Sequence, residues 1–145
     1  MRHATLGVIA LVMLVACTDL REYRGEWTGA RVGEAAALRT GITESATATL
    51  SIESVDQHGL RGTLDVSSLI DHVELVSVEG AEADKLAGMT FTGGPIRVYL
   101  AFAPITDALG DALVMVALYD DRRIEVRIMR GGTTPLYGIF ELTTS

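Results

Sequence analysis

Along most of the chain, apolar and polar residues alternate one for one. Ala46, Ala48, Leu50 and Ile52 are interleaved with Thr47, Thr49, Ser51 and Glu53. Leu60, Leu64 and Val66 are interleaved with Arg61, Thr63 and Asp65. Ile96, Val98, Leu100 and Phe102 alternate with Arg97, Tyr99 and Ala101, and Ile124, Val126 and Ile128 with Arg123, Glu125 and Arg127. Successive side chains of an extended strand point to opposite faces, so this period predicts strands with one face buried and one in water. In each run the apolar set is expected to face inward. Less regular candidates fill the gaps: Glu26–Val32, His72–Val78, Leu86–Thr92, Ala112–Tyr119 and Leu136–Thr143.

Turn formers separate these runs. Asp56-Gln57-His58-Gly59, Gly93-Gly94-Pro95, Asp120-Asp121 and Gly131-Gly132-Thr133-Thr134-Pro135 each fall between two candidates. Short strands joined by short turns pair with their neighbours in sequence. The predicted fold class is therefore all-β: an antiparallel up-and-down meander of about eight or nine strands, closed as a small β-barrel. A β-sandwich is the alternative. Gly33–Thr40 and Gly80–Ala87 are read as helical turns. Ala112–Leu118 is apolar on both faces. Either another piece of chain covers its outer side, with Ala35, Ala36, Ala37 and Leu38 of Gly33–Thr40 as the candidate, or Ala112–Tyr119 faces a protein partner.

The first sixteen residues depart from this pattern. Arg2 is followed by a nearly continuous apolar run from Ala4 to Ala16. A helix of that length rises only about 20 Å, short of the roughly 20 residues that cross a bilayer, so the segment reads as a secretory signal. Its end, Leu14-Val15-Ala16-Cys17, resembles the lipobox of bacterial lipoproteins. The resemblance implies cleavage between Ala16 and Cys17, acylation of Cys17 by chains of the palmitate kind, and anchoring in a membrane through that lipid. Thr18, rather than Asp, follows the cysteine, which by the family's sorting pattern implies the outer membrane, facing the periplasm. The expected organisation is thus a signal peptide at 1–16, a lipidated tether at 17–24 and a barrel domain at 25–145. Cys17 is the single cysteine of the 145 residues, which excludes an internal disulfide.

Charge narrows the partners. The chain carries 12 basic against 19 acidic residues, a formal −7, and cleavage would remove Arg2 but no acid. An acidic domain gains nothing from nucleic-acid phosphates, so no nucleic-acid partner is expected.

Gly25-Glu26-Trp27 supplies a Gly-x-Trp at the start of the first strand and resembles the opening of lipocalin and related calycin barrels. That resemblance implies that Trp27 plugs one end, with Arg127 or Arg130 packed over it, and that a small apolar ligand or lipid occupies the barrel. Small lipoprotein barrels of this outline also include inhibitors of lysozyme.

Reactive chemistry is sparse. His58 and His72 stand apart from any second ligand at metal-binding spacing, so no metal and no cofactor is expected. Ser51, Ser54, Ser67, Ser68 and Ser77 sit outside a Gly-x-Ser-x-Gly elbow. Asp120-Asp121 and the pair Asp107 and Asp111 lack the Asp-x-Asp-x-Asp-Gly calcium pattern. The sequence therefore points to a non-enzymatic, membrane-anchored structural or protein-interaction module, with an apolar-ligand carrier and an enzyme inhibitor as alternatives.

Overall fold

The strands form one antiparallel sheet of eight, and its two middle strands are the first and the last of the chain. The structure is a computed structural model describing residues 18–33, 41–91 and 93–144. Its strands are β1 (Gly25–Val32), β2 (Thr47–Val55), β3 (Leu60–Val66), β4 (Ile70–Val76), β5 (Arg97–Pro104), β6 (Asp111–Leu118), β7 (Ile124–Arg130) and β8 (Leu136–Thr144). A helix, α1 (Ala81–Thr90), lies between β4 and β5. The order is β4-β3-β2-β1-β8-β7-β6-β5. β1 pairs with β2 on one side and with β8 on the other, from Trp27–Thr144 to Val32–Ile139. The sheet curls until β4 and β5 meet. There a single bridge, with Val78 N–H donating to the Leu100 carbonyl at 2.7 Å, joins them at one end. At the other end Thr106 N–H donates to Leu69 O at 3.0 Å. The result is an up-and-down barrel, closed except for a seam between β4 and β5. One continuous sheet excludes the sandwich alternative.

The inner face is the alternating set read from the sequence. Leu50, Leu64, Leu75, Val114, Leu118, Ile124, Val126, Ile128, Phe140 and Leu142 are all fully buried and belong to one contiguous cluster. Burying one such side chain contributes about 1.5–3 kcal/mol, so this cluster dominates stability. Glycine serves a specific purpose at Gly29. A Cβ there would lie 1.8 Å from the Glu141 carbonyl oxygen on β8.

Three readings need correction. Leu86–Thr92 is not a strand. Its residues belong largely to α1, into which the expected helical turn at Gly80–Ala87 extends. Ala83, Ala87 and Phe91 recur every four residues, the spacing of one helical face, and they pack on Leu100, Met115, Ala117 and Tyr119. That is the cover over the outer side of β6. The segment proposed for that job from the sequence, Gly33–Thr40, lies outside the described residues from 34 to 40.

The second correction is the phase of β5. Tyr99, Ala101 and Ala103 face the barrel interior, whereas Val98 and Leu100 point outward beneath α1 and Phe102 is exposed. The strand is apolar on both sides, so alternation alone does not fix which side is inner. Third, order begins before Gly25. Leu20–Tyr23 forms a 3-10 helix capped by the Asp19 carboxylate, which accepts from Arg21 N–H at 3.0 Å, and Tyr23 is buried.

The glycines give a paired test. Gly29→Ala should disrupt the β1–β8 ladder and cost several kcal/mol, at the upper end of what a single substitution does, about 4 kcal/mol. Gly88→Ala, in α1 with open space around it, should instead stabilise by about 0.5–1 kcal/mol. Urea unfolding midpoints of the two variants check both signs.

Candidate functional site

Trp27, third residue of β1, lies towards one end of the barrel. It is 1% exposed. Its indole Nε1–H donates to the Tyr23 carbonyl at 2.8 Å, and the two rings stack at 5.7 Å between centroids and 17° between planes. The Tyr23 hydroxyl donates in turn to the Tyr119 carbonyl in the turn between β6 and β7. Burial pushes the Tyr23 phenol above its ordinary value, and Asp120 adds to the shift. The ring stacked on Trp27 is therefore Tyr23, supplied by the 3-10 helix.

The arginines expected over Trp27 lie elsewhere. Arg127 is on the outer face, its guanidinium 4.2 Å from the Phe91 ring centroid and 2.5 Å from Glu125. Arg130 is at the opposite end of the barrel. It holds Asp107 in a bidentate pair at 2.9 and 2.7 Å and donates to Thr134 O at 3.0 Å, which ties the β5–β6 loop to the β7–β8 loop. That guanidinium, helped by the Leu109 N–H, holds the Asp107 carboxyl down at about 2. An arginine does stack at the Trp27 end: Arg123, 4.0 Å from the Tyr119 ring centroid.

The polar groups that converge do so at the seam. The turn between β2 and β3 is built on Asp56, whose carboxylate accepts from His58 N–H at 2.7 Å and Gly59 N–H at 3.0 Å. Those two donors hold the carboxyl below its ordinary value. The turn then reaches β5. Tyr99 donates its hydroxyl to the Asp56 carbonyl at 2.6 Å, and the Arg97 guanidinium donates to the Gln57 carbonyl. Between this strut, the end of β4 and the start of α1 lies a cleft of about 200 Å³, with His58, Glu79, Asp84, Arg97 and Tyr99 on its walls. The Arg97 Nε is buried there without a hydrogen-bond partner. Burial pushes the Tyr99 phenol up to about 12.

The two histidines stay apart. His58 Nε2 lies 3.1 Å from the Gln57 side-chain nitrogen in the turn at one end. His72, at φ 48°, is clasped by Asp65 through its backbone N–H at 2.8 Å and its ring at 3.2 Å, near the other end. A broader depression of about 410 Å³ there is lined with hydroxyls from Thr47, Thr49, Ser67, Ser68 and Thr106 together with Asp65 and Asp71. Among the described residues, no group of three or more His, Cys, Asp or Glu is placed to hold a metal. Asp107 serves Arg130, and Asp121 sits 3.5 Å from Arg123. Ala16 and Cys17 lie outside the described residues.

Tyr23, Tyr99, Tyr119 and Arg97 went unread as site residues in the sequence. Tyr99 had a signal in principle, as an aromatic residue at a position assigned to the wet face. The chain matches no family model, no curated protein and no solved structure.

The shifts of Tyr99 and Asp107 each contribute to one limb of the stability profile. A phenol raised from 10.0 to about 12 in the fold gives stability that is complete below pH 10.0 and is lost as pH rises towards about 12. A carboxyl lowered from 3.8 to about 2 gives stability present above pH 3.8 and lost as pH falls towards about 2. Tyr99→Phe should flatten the alkaline limb and Asp107→Asn the acid limb. Unfolding midpoints measured across pH read each slope separately.

Proposed function

We propose that this chain is a lipid-anchored envelope lipoprotein, held through acyl chains on Cys17 in the outer membrane facing the periplasm, whose barrel is a non-enzymatic structural or protein-interaction module. The anchor rests on Leu14-Val15-Ala16-Cys17 and the signal-like run before it. The module reading rests on one observation above all. The inward side chains of all eight strands pack against one another in a single cluster, and the stacked pair Tyr23 and Trp27 stops one end. A carrier needs an interior lined for its cargo, whereas an interaction module needs a rigid outer surface.

The short lead into the fold supports a close tether. Only Thr18 and Asp19 separate Cys17 from the 3-10 helix, a reach of about 7 Å. The barrel would sit against the membrane surface with its Trp27 end nearest the lipid. The outer side of β6, a partner surface on the sequence reading, is occupied by α1 and Phe91, so the surface offered to a partner lies elsewhere on the barrel.

Cys17→Ala tests the anchor. The wild type should sediment with membranes and incorporate labelled fatty acid, and the variant should do neither. A variant that still sediments and labels removes the anchor assignment. Native mass spectrometry of the wild type tests the module: the covalent acyl mass alone is expected, and a retained non-covalent lipid would replace the module by a carrier.

A further inference from the structure

The cleft of about 200 Å³ beside the seam gathers charges of both signs that do not pair with one another. It lies where the chain leaves β4, where α1 begins and where the β2–β3 turn crosses to β5. One cation lines it, Arg97 at the start of β5. Two carboxylates line it, Glu79 just before α1 and Asp84 in the first turn of that helix. His58 of the turn completes the ionisable set. The neighbouring charges are engaged or stand apart. Arg61 meets Glu74 at 3.4 Å, and the Asp56 carboxylate is taken by the His58 and Gly59 N–H groups. Glu82 and Lys85 are exposed on α1 and are not part of the wall.

Arg97 is the unusual member. Its guanidinium donates to a carbonyl, that of Gln57, and its Nε is buried without an acceptor. A carbonyl fixes the direction of a guanidinium but leaves its charge unanswered, and a charge partly withdrawn from water is costly until an opposite charge meets it. Glu79 and Asp84 have the converse need. Both are exposed, and among the described residues the ion pairs include neither of them, nor Arg97. A simple anion entering the cleft would face two carboxylates, and a simple cation would face the guanidinium. A metal finds no group of three ligands among the described residues. The charges are balanced by a molecule that brings an anionic and a cationic group together.

We propose that this cleft binds a free α-amino acid with a short apolar side chain. Its carboxylate meets Arg97, its ammonium meets Glu79 and Asp84, and its side chain rests on the apolar part of the wall, made by Val78, Ala83, Val98 and Leu100. Size agrees, because drug-sized ligands occupy about 300–1,000 Å³ and this cleft is smaller. Charge-assisted hydrogen bonds at both poles supply the selectivity. The inference goes beyond the interaction-module reading and stands with or without it, since the cleft is built from one chain and needs neither a protein partner nor an anchor.

The test is an NMR titration of the isotope-labelled full-length chain in detergent with three probes. Valine carries both charges, isovalerate lacks the ammonium and isobutylamine lacks the carboxylate. Valine should shift the amide signals of Glu79, Gly80 and Asp84, and should bind about tenfold or more tighter than either of the others. The double variant Glu79→Gln, Asp84→Asn changes two exposed side chains. It should weaken valine by about tenfold and strengthen isovalerate, because the repulsion of a lone anion is gone. Arg97→Gln should do the reverse, weakening valine and strengthening isobutylamine. Arg97 also holds the β2–β3 turn to β5, so the carboxylate variant decides if this one unfolds. Damage to the fold would weaken all three probes together, whereas a site of this kind exchanges one charge preference for another. Valine that binds no tighter than its two half-ligands, or a preference that the carboxylate variant leaves unmoved, overturns the proposal.

Discussion

The ladder between β1 and β8 pairs Trp27 with Thr144, and most other features of the fold follow from it. Every other strand pairing joins sequence neighbours and closes a far shorter stretch of chain. This one must bring together the two ends of the domain, so it carries a large share of the loop-closure entropy and of the slow, non-local part of folding. Gly29 allows the close approach that the pairing requires. Once β1 and β8 occupy the middle of the sheet, its edges fall in the middle of the sequence, on β4 and β5. The seam of the barrel and the connection that spans it are consequences of that one register.

The connection does more than return the chain. β6 is buried on both sides, with Val114, Val116 and Leu118 in the barrel and Met115, Ala117 and Tyr119 outside it. A strand of that composition needs two partners, and α1 with Phe91 supplies the second. The ends of the barrel are handled by different chemistry. At one, aromatic stacking and two side-chain hydrogen bonds place Tyr23 over Trp27 and lock both to the β6–β7 turn. At the other, the bidentate pair of Arg130 and Asp107 holds two loops together. Its Arg130 side chain is 7% exposed, which makes it more than an ordinary surface ion pair.

Strand existence was legible in the sequence wherever one face is wet, because there the alternation is unambiguous: Ala46–Glu53, Leu60–Val66 and Ile124–Ile128 all fall within or across observed strands. Where both faces are dry, β5 and β6 were still legible as strands, but not which side is inner. Around β5 the larger residues Val98 and Leu100 belong to the outer cluster and the small Ala101 and Ala103 to the inner one, so size misled about direction. In α1, Ala83, Ala87 and Phe91 carried a helical period, but small residues give it a weak contrast against the alternation that also runs through Leu86–Thr92. Trp27 was legible as a large core side chain in a Gly-x-Trp context. Its partner was not, because Tyr23 precedes the first strand and only the 3-10 helix folds it back. The polar strut from Asp56 and Gln57 to Tyr99 and Arg97 was beyond reach, since it depends on backbone carbonyls of a turn, and carbonyls leave no mark in sequence.

The inner side chains pack against one another in one cluster, so what varies from strand to strand is the outer face. Around most of that outside, strands β1 to β3 show threonine, serine and scattered charge, groups that water satisfies and that discriminate poorly between partners. The seam differs because exposed apolar side chains, Phe102, Val76 and Val78, gather there beside a run of carboxylates, with Arg61 and Arg97 among them. Each alone is ordinary on a protein surface. Their coincidence follows from topology, since the register that closes β1 on β8 leaves β4 and β5 as edges and puts the acidic stretch 71–84 on the β4 lip. Fastening at both ends, by Val78 with Leu100 and by Leu69 with Thr106, keeps those edges in fixed positions. Held at both ends, the two edges guard each other, because each stands where a strand added to the other would have to lie.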